Sequence, residues 1–197
     1  CRHPGSAIPL VALQFHEVKL NFLFGTDPTK WTTGSIKLYA DYVYLDEEER
    51  QRFSQSAQEY LIEQVQMRDV SLGDAQDISF NHPVKELVWV TSAAMSDGAK
   101  ITFNGQDRAS ARPASYYSHL QPYQHHTRIP DSTSFVYCYS FGLRPEEHQP
   151  SGTVNFSRID NASITLPGDS SQTATVYAVN YNVLRVQSGL GGLAYSN

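Results

Sequence analysis

An all-β antiparallel sandwich is the fold class that this sequence predicts, and three observations carry it. Residues 135–141, FVYCYSF, alternate strictly: Phe135, Tyr137, Tyr139 and Phe141 take one side, Val136, Cys138 and Ser140 the other. A period of two marks a strand with one face committed to a core. Composition agrees, since twelve Tyr and nine Phe, with many Val and Thr, favour strands over helices. The length of 197 residues suits one well-buried domain, as is common for all-β sandwiches of this size.

Charge and hydropathy narrow the function classes. The formal net charge is −5 and the fifteen Lys and Arg are scattered, which argues against a surface that neutralises phosphates, so no direct nucleic-acid partner is expected. No apolar run approaches the roughly 20 residues that cross a bilayer, and no signal-peptide order is present. Cys1 and Cys138 are expected to be reduced thiols, because a disulfide framework would need more cysteines.

The elements follow in chain order. Residues 1–9, with Pro4, Gly5 and Pro9, form a linker. Val11, Leu13 and Phe15 alternate, and then the parity changes to Val18, Leu20, Phe22 and Phe24, which predicts a β-bulge near His16-Glu17. A turn at Gly25–Gly34 leads to a second strand, Ser35–Leu45, with Ile36, Leu38, Ala40, Tyr42 and Tyr44 on one face. Asp46 starts a helix as its cap, with Glu49 placed to reach back and Glu47 to Glu49 favouring the positive helix start. Beyond it, Phe53, Ala57, Tyr60 and Leu61 fit a continued helix, while Leu61, Val65 and Met67 fit a strand.

Asp69–Pro83 reads as a loop. Val84–Thr91 is a strand, with Val84, Val88 and Val90 on one face and Leu87 and Trp89 on the other. Asp97-Gly98 turns into a short strand at Lys100–Phe103. Residues 104–134 form a long loop in which Pro113–Leu120 makes a short helix. The closing strands are Thr153–Leu166 and Thr173–Val186.

Candidate chemistry is sparse. His119, His125 and His126 are close in sequence, but no Cys or carboxylate pattern completes a metal site, so solvated loop histidines are expected. Glu146 and Glu147 are adjacent on one turn and cannot flank a bound sugar as glycosidase carboxylates do. Gly189, Gly191 and Gly192 read as C-terminal flexibility. Asn155-Phe156-Ser157 and Asn161-Ala162-Ser163 match the glycosylation pattern but fall in a predicted strand. No catalytic residue, cofactor-binding residue, metal ligand or cofactor is expected. Trp31 is the one modest sugar platform, which keeps a carbohydrate-binding module or lectin as the alternative function; a metal-dependent cupin-like enzyme lacks its ligands.

Three blocks of sequence are more specific than these patterns. FGLRPEEHQPSGTVNFSRIDNA (141–162) resembles the signature of the major capsid protein of nucleocytoplasmic large DNA viruses, within the second of its two jelly rolls. YADYVYLDEEERQRFSQSAQEYLIEQVQ (39–66) is similar to that family's strand–helix–strand passage, and VYAVNYNVLRVQSGLGGLAYSN (176–197) to its closing strand. Residues 70–83 and 104–134, between these blocks, carry no string that we place in the family. The resemblance implies a strand at Glu59–Arg68. It implies an eight-stranded antiparallel jelly roll, residues 10–197, with a short helix between the second and third strands and long loops at one end. Residues 1–9 would lead in from a preceding jelly roll, the chain being a fragment or processed product. The implied role is structural: homotrimers forming pseudo-hexagonal capsomers of an icosahedral virion shell, assembled in host cytoplasm. Neighbouring capsomers, minor capsid proteins and an internal viral membrane are the implied partners.

Overall fold

In the computed structural model, which describes residues 4–23, 36–131 and 133–195, alternating sequence becomes a strand where a second strand lies beside it. Ten strands form among those residues: β1 (Gln58–Ser71), β2 (Ala75–Asp77), β3 (Pro83–Thr91), β4 (Ala99–Phe103), β5 (Gln106–Arg112), β6 (Val136–Ser140), β7 (Val154–Asn155), β8 (Ala162–Thr165), β9 (Thr173–Gln187) and β10 (Leu190–Leu193). The chain divides into two compact units, Cys1–Tyr60 with Val183–Ala194, and Leu61–Asn182 with Tyr195–Asn197.

The second unit contains most of a jelly roll. The sheets run β1-β9-β3-β6 and β2-β8-β4-β5, with β7 added beside β3; β10, in the first unit, pairs with the last residues of β9. Setting aside β7 and β10, the pairs β1·β9, β2·β8, β3·β6 and β4·β5 join first to eighth, second to seventh, third to sixth and fourth to fifth. That nesting is a long antiparallel ribbon rolled up, closed by β9 against β3 and β8 against β4. Val84, Leu87 and Trp89 of β3 and Val176 and Ala178 of β9 face Ile101, Ala109 and Ile164 in one core.

The fold class is therefore as expected, but the eight strands are not the eight read from sequence. The segments 11–24 and 35–45 are not strands in the described residues. Leu10–Ala12 is a 3-10 turn, no ladder forms over 13–23 or 36–45, and the bulge at His16-Glu17 is absent with the strand. Leu38 is 66% exposed and Tyr44 91%. Alternation supplies a face to bury, but backbone N–H and C=O groups need a ladder, and no strand pairs with these segments among the described residues. The turn Gly25–Gly34, with Trp31, lies outside the described residues, as does Cys1.

Two missed strands restore the count. β5 follows β4 through Asn104-Gly105, both at positive φ (+49° and +79°), the geometry of a two-residue hairpin. β2 lies inside the expected Asp69–Pro83 loop and pairs with β8. The expected strand Thr153–Leu166 is split into β7 and β8 by a 3-10 turn, Phe156–Arg158, whose start is capped by the Asn155 carboxamide. Residues 189–192 are ordered as a hairpin rather than a flexible tail: Ser188-Gly189 turn at φ +53° and +80°, and β10 pairs back on β9.

The helix α1 (Glu47–Gln55) starts where expected, with Asp46 Oδ1 accepting the Glu49 N–H at 2.8 Å. It precedes the first jelly-roll strand instead of lying between the second and third. Cys138 is a free thiol, as expected.

Strand parity sets the ends of the sandwich. Connections 72–74, 92–98, 113–135 and 166–172 start from one end, tied by Leu72 N–H to Gln172 O, Gly73 N–H to Leu166 O and Ser96 N–H to Pro167 O. Connections 78–82, 104–105 and 141–161 share the other, tied by Ile78 N–H to Ala162 O and Asn104 N–H to Asn161 O. The Asp97-Gly98 turn thus sits with the long 113–135 connection. That connection is no open loop. A π-helical turn, Tyr116–Leu120, and α2 (Gln121–His125) run along the edge of β6, where Gln121 Oε1 accepts the Ser140 N–H at 3.0 Å. An edge strand that would otherwise offer free backbone groups is covered. Long connections therefore occupy both ends, 113–135 at one and 141–161 at the other.

Candidate assembly surfaces

The 141–162 string owes its shape to a neck between two glycines. A Cβ on Gly142 would lie 2.8 Å from the Gly152 carbonyl oxygen, and one on Gly152 would lie 3.0 Å from Phe141 O. Gly152 also sits at φ +144°, where side chains are strained. Backbone touches backbone there, so residues 143–151 leave and re-enter the sandwich at one point. Arg144 N–H donates to Ser151 Oγ at 2.8 Å, and Ser140 Oγ donates to Gly142 O at 2.6 Å. Inside the neck, Phe156 packs edge to face on Phe80, Phe103 and Phe141, and Phe103 lies tilted on Phe141, with centroids 5.4–6.0 Å apart. Tyr139 extends this cluster to Phe141, and Tyr117 links Tyr139 to Trp89.

The neck is anchored on a bulge in β3. Val84 pairs with Asn180 and Glu86 with Val179, so Lys85 is the extra residue. Its carbonyl accepts both the Phe141 and Gly142 N–H groups, at 2.9 and 3.3 Å. The bulge also reverses parity: Val84 joins Leu87 and Trp89 in the core, not Val88 and Val90. Lys85 and Glu86 then point to the outer face of the sheet, yet both are buried. Lys85 Nζ meets Glu63 Oε1 at 2.7 Å and lies 5.4 Å from the Tyr181 ring.

His126 sits between two carboxylates. Its Nε2 is 3.1 Å from Glu86 Oε2, an ion contact without hydrogen-bond alignment, and its Nδ1 is 3.4 Å from Glu146 Oε1. The Cys138 sulfur and the Glu86 carboxylate beside it push the imidazole up to about 10. It is an imidazolium at neutral pH. Thr127 donates its backbone N–H and its hydroxyl to Glu146, holding that carboxyl below its usual range, with His126 adding to the effect. One imidazolium thus ties the 113–135 connection, strand β3 and the 141–152 loop together.

The expected group of solvated histidines separates. His119 is exposed against Ser118, His125 Nδ1 faces Leu143 O at 3.0 Å, and His126 is half-buried in the clamp between two carboxylates. The three do not converge, and no group of three or more His, Cys, Asp or Glu able to hold a metal occurs among the described residues. Glu146 and Glu147 point apart, the first to Thr127 and His126, the second to Arg144. Asn155 caps its own turn, whereas Asn161 is exposed at the 104–105 end. The sequence did carry a signal for the clamp: Lys85-Glu86 inside the apolar run VKELVWV is costly unless each charge finds a partner. His16 packs against the β10 hairpin, accepting the Gly191 N–H at 3.0 Å.

Residues 92–192 match the large eukaryotic DNA virus major capsid protein family. A major capsid protein of Pyramimonas orientalis virus is 47% identical, over all of this chain and 59% of its own length. One of Paramecium bursaria Chlorella virus 1 is 36% identical, over 98% of this chain and 64% of its own. Among solved structures, the PBCV-1 virus capsid superposes with TM-score 0.79 at 33% identity, across the whole chain and 68% of that protein. The Faustovirus major capsid protein, at 12% identity and TM-score 0.57 over 73% of this chain and 36% of its own, shares the fold. The chain spans about 60% of the length of the curated relatives named here.

Proposed function

Because the chain belongs to the large eukaryotic DNA virus major capsid protein family, we propose that it is a structural subunit of an icosahedral virion shell, not an enzyme. The observation that carries this reading is superposition of the whole chain on the PBCV-1 virus capsid at 33% identity. In this role the jelly roll is the second of two in its subunit, with residues 1–9 leading in from the first and 10–197 forming the second. Homotrimers of such subunits make pseudo-hexagonal capsomers, which meet neighbouring capsomers, minor capsid proteins and an internal membrane, after assembly in host cytoplasm. The carbohydrate-binding alternative draws no support from the relatives named above.

Electron microscopy of purified particles labelled with antibody against this chain tests the proposal. Dense label over the shell, with peptides of this chain dominating the protein digest, is the expected result. Label confined to material that separates from particles overturns it.

A further inference from the structure

The segment that covers the β6 edge is held there by few apolar contacts. In α2 only Gln121 and Pro122 are buried, and Tyr123 is 75% exposed. Leu120 and Ile129, on either side, are exposed as well. The links to the sandwich are polar instead. Gln121 Oε1 accepts the Ser140 N–H, His125 Nδ1 meets Leu143 O, Thr127 donates twice to Glu146, and His126 lies between its two carboxylates. Segments that bury little apolar surface and rest on exposed hydrogen bonds open locally at low cost.

The residues that bracket this segment are fastened to the core. Upstream, Tyr117 is fully buried, lies 5.2 Å from the Trp89 ring centroid to centroid, and donates its hydroxyl to Ala99 O at 2.9 Å. Downstream, Phe135 packs against the core and its carbonyl accepts the Thr91 N–H at 3.2 Å. Each post adjoins irregular backbone, the π-helical turn on one side and Phe135 itself, at φ +49°, on the other.

Charge decides whether the segment stays down. His126 is faced by Glu86 from β3, Glu146 from the 141–152 loop and the Cys138 sulfur from β6, and Tyr181 of β9 lies near Glu86. Glu86 Oε2 and His126 Nε2 are buried without an aligned hydrogen bond, so opposite charge is what joins them. Protonating the carboxylates weakens the Thr127 hydrogen bonds and leaves the imidazolium among neutral groups, where solvent is the better surrounding. Glu146 is held below its ordinary 4.5, so its hold is complete above that value and is lost as pH falls through the lower folded one.

We propose that residues 121–129 form an acid-released strap, which leaves the β6 edge between the Tyr117 and Phe135 posts while the sandwich beneath stays folded. The core that remains, built on Leu87, Trp89, Ile164 and Val176, is apolar and carries no carboxylate. Opening bares the backbone of β6 and the Cys138 thiol, which is 5% exposed in the closed form. The strap lies within the second unit and is independent of the shell role.

Thiol trapping in a Cys1→Ser chain reads the strap, because Cys138 is then the sole cysteine. The probe is dithiodipyridine, a disulfide that reacts with thiols in acid, and rates are taken relative to the chain unfolded in guanidinium at the same pH. From about pH 7 to about pH 3.5 the relative rate is expected to rise about tenfold or more, with far-ultraviolet circular dichroism unchanged. Glu146→Gln is expected to raise the rate about tenfold at neutral pH and to shrink the acid response, whereas Glu147→Gln keeps the parent profile. A thiol that stays protected in acid, or is exposed only as the dichroism is lost, overturns the strap. So does a Glu146→Gln profile equal to that of Glu147→Gln.

Discussion

Substituting Gly142 by alanine tests the neck directly. The added Cβ lands 2.8 Å from the Gly152 carbonyl oxygen and 3.1 Å from Ser151 Oγ, where ordinary contact begins near 3.4 Å. Something must therefore move by about 0.6 Å, and the nearest atom is backbone. If the neck holds, the cost is that of overpacking, about 1–3 kcal/mol. If it opens, the Arg144–Ser151 and Ser140–Gly142 hydrogen bonds are lost, at about 1 kcal/mol each. Both routes give about 2 kcal/mol. Two other glycines calibrate the series. Gly105→Ala meets nothing within 4 Å but sits at φ +79°, so only backbone strain of about 1 kcal/mol applies. Gly192→Ala meets nothing and has no positive φ, and should stay within about 0.5 kcal/mol of the parent. Urea midpoints at constant m-value give the order. A Gly142→Ala midpoint nearer to Gly192→Ala than to Gly105→Ala would refute the backbone-contact argument.

Three further outcomes are expected. Tyr139→Ala removes a ring that is 7% exposed and packed on Phe141 and Tyr117, and should cost about 3–5 kcal/mol by chemical denaturation; an unchanged midpoint would exclude the strand assignment. Glu63→Gln strands the Lys85 ammonium, whose side chain is 5% exposed, and should cost about 3 kcal/mol, whereas Lys85→Met leaves the more exposed Glu63 to solvent and His148 and should cost less; equal losses would deny the asymmetry. His126 has its folded pKa raised above the ordinary 6.5, so its stabilisation is complete below about 6.5 and is lost as pH rises through about 10. The parent should lose on the order of 1–2 kcal/mol between pH 6 and 9.5, and His126→Gln should flatten that loss; identical pH profiles would remove the clamp from the account.

What the sequence disclosed, and what it hid, follows from which interactions are local. Tyr137 and Tyr139 alternate over a few residues and pack as expected, and the Asp46 cap needs only Glu49 to complete it. The segments at 13–23 and 36–45 alternate just as well. A ladder depends on a strand far away in sequence, and periodicity carries no information about whether that strand is present. β5 failed the opposite way: QDRASAR buries only Ala109, so it shows no apolar face, although Asn104-Gly105 ahead of it is a strong hairpin signal. The missed strands mattered beyond their number, because each strand added or removed changes which end of the sandwich the next connection occupies. Two spurious strands and two missing ones cancelled in the count but not in the parity, and so the long loops were expected at one end when they occupy both. The clamp was hidden for a third reason. His126, Glu86 and Glu146 are 20 to 60 residues apart, and only the Lys85 bulge, one unpaired residue in an otherwise regular strand, turns Glu86 outward to meet His126. The same bulge offers the carbonyl that receives Phe141 and Gly142, so the feature that reverses parity in β3 also seats the neck of the 141–152 loop.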